Sequence, residues 1–334
     1  MQTLSLGDLS QSLILSRRSL QLKTTLQTLS RESTTGLAAD QTSRLHGNFA
    51  QIAGIETSLT LLKAYRNISA ETQISADVMQ KTLKIVQDQS SLGPAFLTVA
   101  SGQSPVTVDT LGLQAARALD TAMKALNTSL GERALFAGQQ TATTALASVE
   151  RLFSELGTAI NAAGAMTSAD IDAALSAWFD SPSGFAALIY QGGTPLGPVA
   201  VSADQTVALD ITATDPAILA TLKGLSLGAL LSRGILTGSD VARGDLANRA
   251  GQHLVASQVP MAALAAKLGT VQTAVQEAVT RNDAEDAVLQ NARLALLSVD
   301  PYETATHYQE TQNQLQTLYA ITARASRLSL VDFL

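Results

Sequence analysis

Between Leu4 and Leu29 the chain has no proline and a single glycine, Gly7, and nine of its residues are leucine. Turned at about 100° per residue, these leucines fall on two separate stripes of a helix. Leu6, Leu9, Leu13 and Leu20 share one face; Leu4, Leu15, Leu22, Leu26 and Leu29 share another. A surface helix needs only one apolar stripe. Two stripes imply a helix covered from two directions, as in a bundle interior or a packed polymer.

The other end repeats the problem. "THYQETQNQLQTLYAITARASRLSLVDFL" is free of proline and glycine and lines up Tyr308, Leu315, Leu318, Tyr319, Thr322 and Ala325 on one side. It closes on Leu328, Leu330, Val331, Phe333 and Leu334, although the last residues of a chain are usually solvated. Both ends are therefore expected to be long amphipathic helices that pair as a coiled coil. Burying a leucine contributes about 1.5–3 kcal/mol, but each ordered residue costs about 1–2 kcal/mol of backbone entropy. With leucine at roughly every third position, the pair is not expected to be stable alone. It needs further cover, either from the middle of the chain folding back or from other subunits on assembly.

The middle reads as more helix. Residues 49–92 carry Ile52, Ile55, Leu59, Leu62, Ile74, Val78 and Leu83 near helical spacing, and "LGPAF" and "SGQSP" then break the run. A second helix is expected over 107–130 and a third over 240–297, interrupted at Pro260. Residues 150–235 differ. Ser168 reads as the N-cap of a short helix, "GFAALIY" and "TVALDIT" read as strands, "QGGTPLGP" as a turn cluster, and "DPAILATLKGLSLGALLS" as helix again. The expected fold is mainly α: long terminal helices pairing as a coiled coil, a helical middle, and a small inserted α/β domain. The expected segments are 1–48, the N-terminal coiled-coil helix and loop; 49–150, the first half of a helical domain; 151–237, the α/β insert; 238–297, the second helical half; and 298–334, the C-terminal coiled-coil helix.

Composition narrows the function. Apolar residues make up 46% of the chain but aromatics only 4%, a mix suited to helix packing rather than to stacking on sugars or bases. The net charge is −6, with Lys and Arg scattered singly, so no basic stripe is offered to nucleic acid. The absence of cysteine removes disulfides, thiolate metal sites and cysteine nucleophiles. The N-terminus lacks the pattern of a Sec signal, and no run of about 18 apolar residues reads as a membrane span.

No catalytic, cofactor-binding or metal site emerges. His46, His253 and His307 are far apart and none sits in a ligand motif. "YQGGTPLGP" is a poor phosphate cradle, because Pro195 and Pro198 remove amide donors. "NDAED" at 282–286 lacks the glycine of a calcium loop and reads as a solvated helix face. The glycosylation matches at Asn67 and Asn127 fall in expected helices, and Trp178 reads as core.

Several stretches nevertheless resemble one family. "SVDPYETATHYQETQNQLQTLYAITARASRLSLVDFL" is similar to the C-terminal signature of the flagellin superfamily, "LQTLSRESTTGLAAD" to the stretch after its first helix, and "YRNISAETQ" to the helix that follows. Only Asp40 stands where relatives carry an acidic pair. Within the superfamily, "GERALFAGQQT" and the final "SRLSLVDFL" resemble members that join hook to filament.

The resemblance implies a non-enzymatic axial component of the bacterial flagellum, extracellular and exported through the flagellar type III apparatus, without cofactor, nucleic acid or membrane. Its implied partners are the first hook-associated junction protein, flagellin, its own copies in a ring, and an export chaperone on the C-terminal helix. The assembly interface would comprise Leu6, Leu9, Leu13, Leu15, Leu20, Leu22, Leu26 and Leu29 at one end. At the other it would comprise Leu315, Leu318, Tyr319, Leu328, Leu330, Val331, Phe333 and Leu334. Two alternatives stay open: a filament flagellin, and a soluble helical protein holding a ligand near Trp178 and Tyr190.

Overall fold

The computed structural model describes residues 6–45, 47–99 and 105–331. In chain order the helices begin with α1 (Leu6–Thr35), α2 (Gln41–Arg44), α3 (Ala50–Gln89), α4 (Gly93–Val99) and α5 (Pro105–Leu126). A short hairpin, β1 (Ser129–Leu130) and β2 (Arg133–Ala134), leads to α6 (Val149–Ala162), α7 (Ser168–Asp180) and α8 (Phe185–Leu188). A second hairpin, β3 (Val199–Ala200) and β4 (Thr206–Val207), precedes α9 (Pro216–Leu230), α10 (Asp240–Leu297) and α11 (Pro301–Val331). The fold is mainly α, and the chain forms two compact units.

The first unit comprises residues 1–62 and 283–334. The end of α1 is fastened to the start of α11 by a short antiparallel ladder. Ala38 N–H donates to Leu297 O at 2.8 Å and Val299 N–H to Gly36 O at 3.1 Å. Gly36 takes φ +69°, a conformation that favours glycine, and so ends α1 where the ladder must begin. The Asp300 carboxylate then accepts from the N–H groups of Tyr302 and Glu303, with Pro301 in the first turn where no amide donor is missed. Asp40 caps α2 in the same way through Ser43 N–H. Ile52, Ile55 and Leu62 of α3 are buried, as is Leu297 of α10, and Arg293 reaches Glu56 at 3.5 Å.

The second unit, residues 63–282, holds one contiguous core to which α3 to α7, α9 and α10 all contribute. Residues 151–237 share this core with the flanking helices. Phe96, Phe136, Phe179, Phe185, Leu119, Leu146 and Leu152 are fully enclosed. α9 is buried nearly all round, which explains its unbroken apolar sequence, and starts with Asp215 accepting from Ala217 N–H ahead of Pro216. A Cβ at Gly224 would lie 2.8 Å from the Leu254 side chain, so this glycine lets α9 approach α10 closely. A small satellite core of Val201, Val207, Val275 and Ala278 seats the second hairpin on α10.

Several expectations are corrected. The insert is not an α/β layer: its strands are two residues long, "GFAALIY" forms the turn α8 rather than a strand, and "TVALDIT" pairs only at Thr206 and Val207. Short apolar runs lack a distinguishing period, and here helices rather than a sheet bury them. α10 runs unbroken through Pro260, which removes one amide donor without ending the helix. The cap of α7 is Thr167, not Ser168; its hydroxyl accepts from Asp170 N–H while the Asp170 carboxylate accepts from Thr167 N–H. α5 stops at Leu126, and Asn127 turns its side chain to bond both the N–H and C=O of Leu146. Among the described residues one helix, α10, is long and apolar enough by those measures alone to cross a membrane, with a mean hydropathy of 1.3 over 18 residues. It places Leu254, Met261, Leu264 and Leu268 in the core of the second unit.

Candidate assembly surface

In the first unit α1 and α11 pack antiparallel, and their buried and half-buried positions recur at alternating spacings of four and three: Leu15, Ser19, Leu22, Leu26 and Leu29 on α1, Thr304, Tyr308, Thr311, Leu315 and Leu318 on α11. This is the seam of a coiled coil. It is thin. Leu22, 7% exposed, is the one leucine of the α1 seam that is fully buried; its neighbours are half-buried. Two buried seam positions on α11 are threonines, whose hydroxyls turn back to the carbonyls of Asp300 and His307 at 2.8 and 2.7 Å. Beside the seam the Lys23 ammonium lies 5.8 Å from the centre of the Tyr319 ring, and its interaction with the hydroxyl, aided by Ser19, holds this phenol below the usual tyrosine range.

The described leucines of the other stripe, Leu13 and Leu20, have no such cover. Leu13 is 56% exposed, Leu20 61%, and Ile14 between them 66%. On α11, Tyr319 and Ile321 are about half exposed as well. Leu15, Leu22, Leu26, Leu29, Leu315 and Leu318 are thus brought together inside the pair, whereas Leu13, Leu20 and Tyr319 face outward. Leu6 and Leu9 fall in the first turns of α1, and Leu328, Leu330 and Val331 in the last turns of α11. Leu4, His46, Phe333 and Leu334 lie outside the described residues.

The second unit also holds a polar side-chain cluster and a cavity. The first was missed by sequence reasoning. His253 Nε2 lies 2.7 Å from Asp172 Oδ1, Arg249 bridges Asp172 at 3.4 Å and Asp245 at 3.0 Å, and the Ser168 hydroxyl donates to Asp245. These residues come from α7 and α10 and lie up to 81 positions apart, so no local motif announces them. The Ser168 hydroxyl and Arg249 hold the Asp245 carboxyl below the ordinary range, and Asp245 in turn raises Arg249. The serine bonds the Asp245 carboxylate rather than the imidazole, and the cluster clamps α7 to α10.

The second feature is a cavity of about 350 Å³ lined by Ile68, Met79, Leu130 and Leu209, with Arg133 and Glu71 ion-paired at its wall. Trp178 is enclosed by Phe179 and Phe185 as core. Tyr190 donates to Gly193 O at 2.8 Å, and burial raises its phenol above the usual range. Among the described residues no group of three His, Asp or Glu could hold a metal ion.

The "LFAG" and "QGGTP" stretches explain each other. Gly138 takes φ +57° and a Cβ there would lie 2.4 Å from Thr194 O, while Gly193 N–H donates to Ala137 O and Gln139 N–H to Thr194 O, both at 2.9 Å. The glycines serve backbone-to-backbone docking, not a ligand.

Residues 257–334 match the family model of the bacterial flagellin C-terminal helical region. Among solved structures, a protein provisionally described as a flagellar hook-associated protein, from Vibrio parahaemolyticus, is similar at 15% identity with a TM-score of 0.31, over 78% of this chain and 94% of that one. The comparison with curated proteins found no match.

Proposed function

We propose, from the match of residues 257–334 to the flagellin C-terminal helical region, that this chain is a structural protein of the flagellum and, within the flagellin superfamily, the junction component between hook and filament. In this reading it is exported through the type III apparatus, held beforehand by a chaperone on the C-terminal helix. It then adds as a ring of its own copies between the first hook-associated junction protein and flagellin. The observation that carries the reading is the exposed pair Leu13 and Leu20 on one face of a helix whose other stripe is already paired, with Ile14 exposed beside them. A large apolar face of this kind on a secreted structural chain is what a neighbouring subunit covers. The likeness of "GERALFAGQQT" and "SRLSLVDFL" to junction members favours the junction over the filament. The match to a flagellin region keeps filament flagellin as the second reading.

Immunogold electron microscopy of intact flagella, with antibody raised against residues 151–237, separates the two. Label confined to the point where hook meets filament supports the junction, and label along the filament identifies a flagellin. No label on flagella overturns both.

A further inference from the structure

The buried stripe of α3 within the second unit changes chemistry along its length. Toward the C-terminal end it is Ala76, Met79, Leu83 and Val86, all buried. One turn earlier, the same spacing brings Ser69 and Thr72, also buried. Along its flank run Gln73, Asp77 and Gln80. Asp77 Oδ1 accepts from Gln73 at 3.0 Å and from Gln272 of α10 at 2.7 Å, and among the described residues Asp77 has no ion-pair partner. Ser69 Oγ, Gln73 Oε1 and Gln80 Oε1 are buried without a hydrogen-bond partner. On the α10 side Leu268 and Val275, to either side of Gln272, are fully enclosed. Orphaned polar atoms in such surroundings destabilise the packing that encloses them.

We propose that this polar seam between α3 and α10 is where the second unit opens first, residues 69–80 unpacking from α10 before the apolar part of the same helix lets go. What the opening is for rests on the export reading above: a chain passing through a narrow channel must unfold, and does so from its weakest packed section.

Hydrogen exchange on the purified full-length chain decides the matter. Ordinary fraying of α3, which ends at Gln89, would make residues 83–88 exchange faster than 69–80. The seam predicts the reverse order, by about tenfold or more. Equal protection, or faster exchange at 83–88, overturns the proposal. The double variant Ser69→Ala with Gln80→Met removes two orphaned oxygens and keeps the Gln73–Asp77–Gln272 bonds. It should slow exchange at 69–80 by about tenfold. Thr221→Val, which removes an orphaned hydroxyl in α9, should leave exchange at 69–80 unchanged. If both variants slow the seam alike, opening is global and the proposal fails. These readouts use the isolated chain, so their outcome is independent of where antibody labels the flagellum.

Discussion

Leu13 and Leu22 occupy one helix nine positions apart, and truncating them should have opposite consequences. Leu22 is 7% exposed in the α1–α11 seam, with half-buried Leu15, Leu26 and Leu29 along the same line. Buried Leu→Ala changes cost about 2–5 kcal/mol, and a thin two-helix seam that can collapse partly belongs at the low end, about 2 kcal/mol. Leu13, 56% exposed, has already left more than half of its surface in water. Full burial of a leucine is worth about 1.5–3 kcal/mol, so Leu13→Ala should cost the monomer about 1 kcal/mol, roughly half the Leu22 value, and the better helix propensity of alanine offsets part of that. Denaturant unfolding of the purified monomer, followed by helical circular dichroism, measures both. Incorporation into flagella, scored by microscopy, supplies the second axis: Leu13→Asp should abolish incorporation while monomer stability holds. Equal loss of monomer stability in the two alanine variants would mean that the Leu13 stripe is covered within the chain. Normal incorporation of Leu13→Asp would mean that no neighbour uses it. Either result refutes the assembly argument.

Three further outcomes test the fold around it. Gly138→Ala forces a Cβ against Thr194 O at a positive φ and should destabilise the second unit by at least about 2 kcal/mol in thermal unfolding, whereas Gly157→Ala, in open helix, should not. Thr167→Ala loses the hydroxyl half of the α7 capping box, keeping the backbone N–H that donates to Asp170, and should cost about 1 kcal/mol, read by the same melt; no change would show that the cap is idle. Asp245 is held below its ordinary range by Ser168 and Arg249, so it stabilises the fold above the unfolded carboxylate pKa of about 3.9, and that contribution fades as pH falls through the depressed folded value. The wild type should therefore lose stability more steeply than Asp245→Asn below about pH 4, and parallel curves would remove Asp245 from the acid response.

Most of the helical scaffold could be read from periodicity because a helix repeats its environment every three or four residues. The expected helix over 49–92 becomes α3 and the 3-10 turn after it, and, of the double leucine stripe, Leu15, Leu22, Leu26 and Leu29 line the paired face of α1 while Leu13 and Leu20 stay exposed. What periodicity cannot encode is the partner. The His253–Asp172 clamp joins residues 81 positions apart, and neither flank distinguishes it from a solvated pair. "GFAALIY" was open to a strand reading because seven residues are too few to separate period 2 from 3.6. A Cβ at Gly184 would lie 1.9 Å from Trp178 O, six residues back at the end of α7 and outside the stretch itself, and the chain turns there into α8. The same limit bears on function. The two stripes of α1 are nearly indistinguishable by composition, and only the fold reveals that α11 takes one of them, leaving Leu13, Ile14 and Leu20 outward on a chain whose C-terminal region is of flagellin type. In the assembly reading the unpaired stripe is completed outside a single copy of the chain, so mutations there should change monomer stability little yet be decisive for incorporation into flagella.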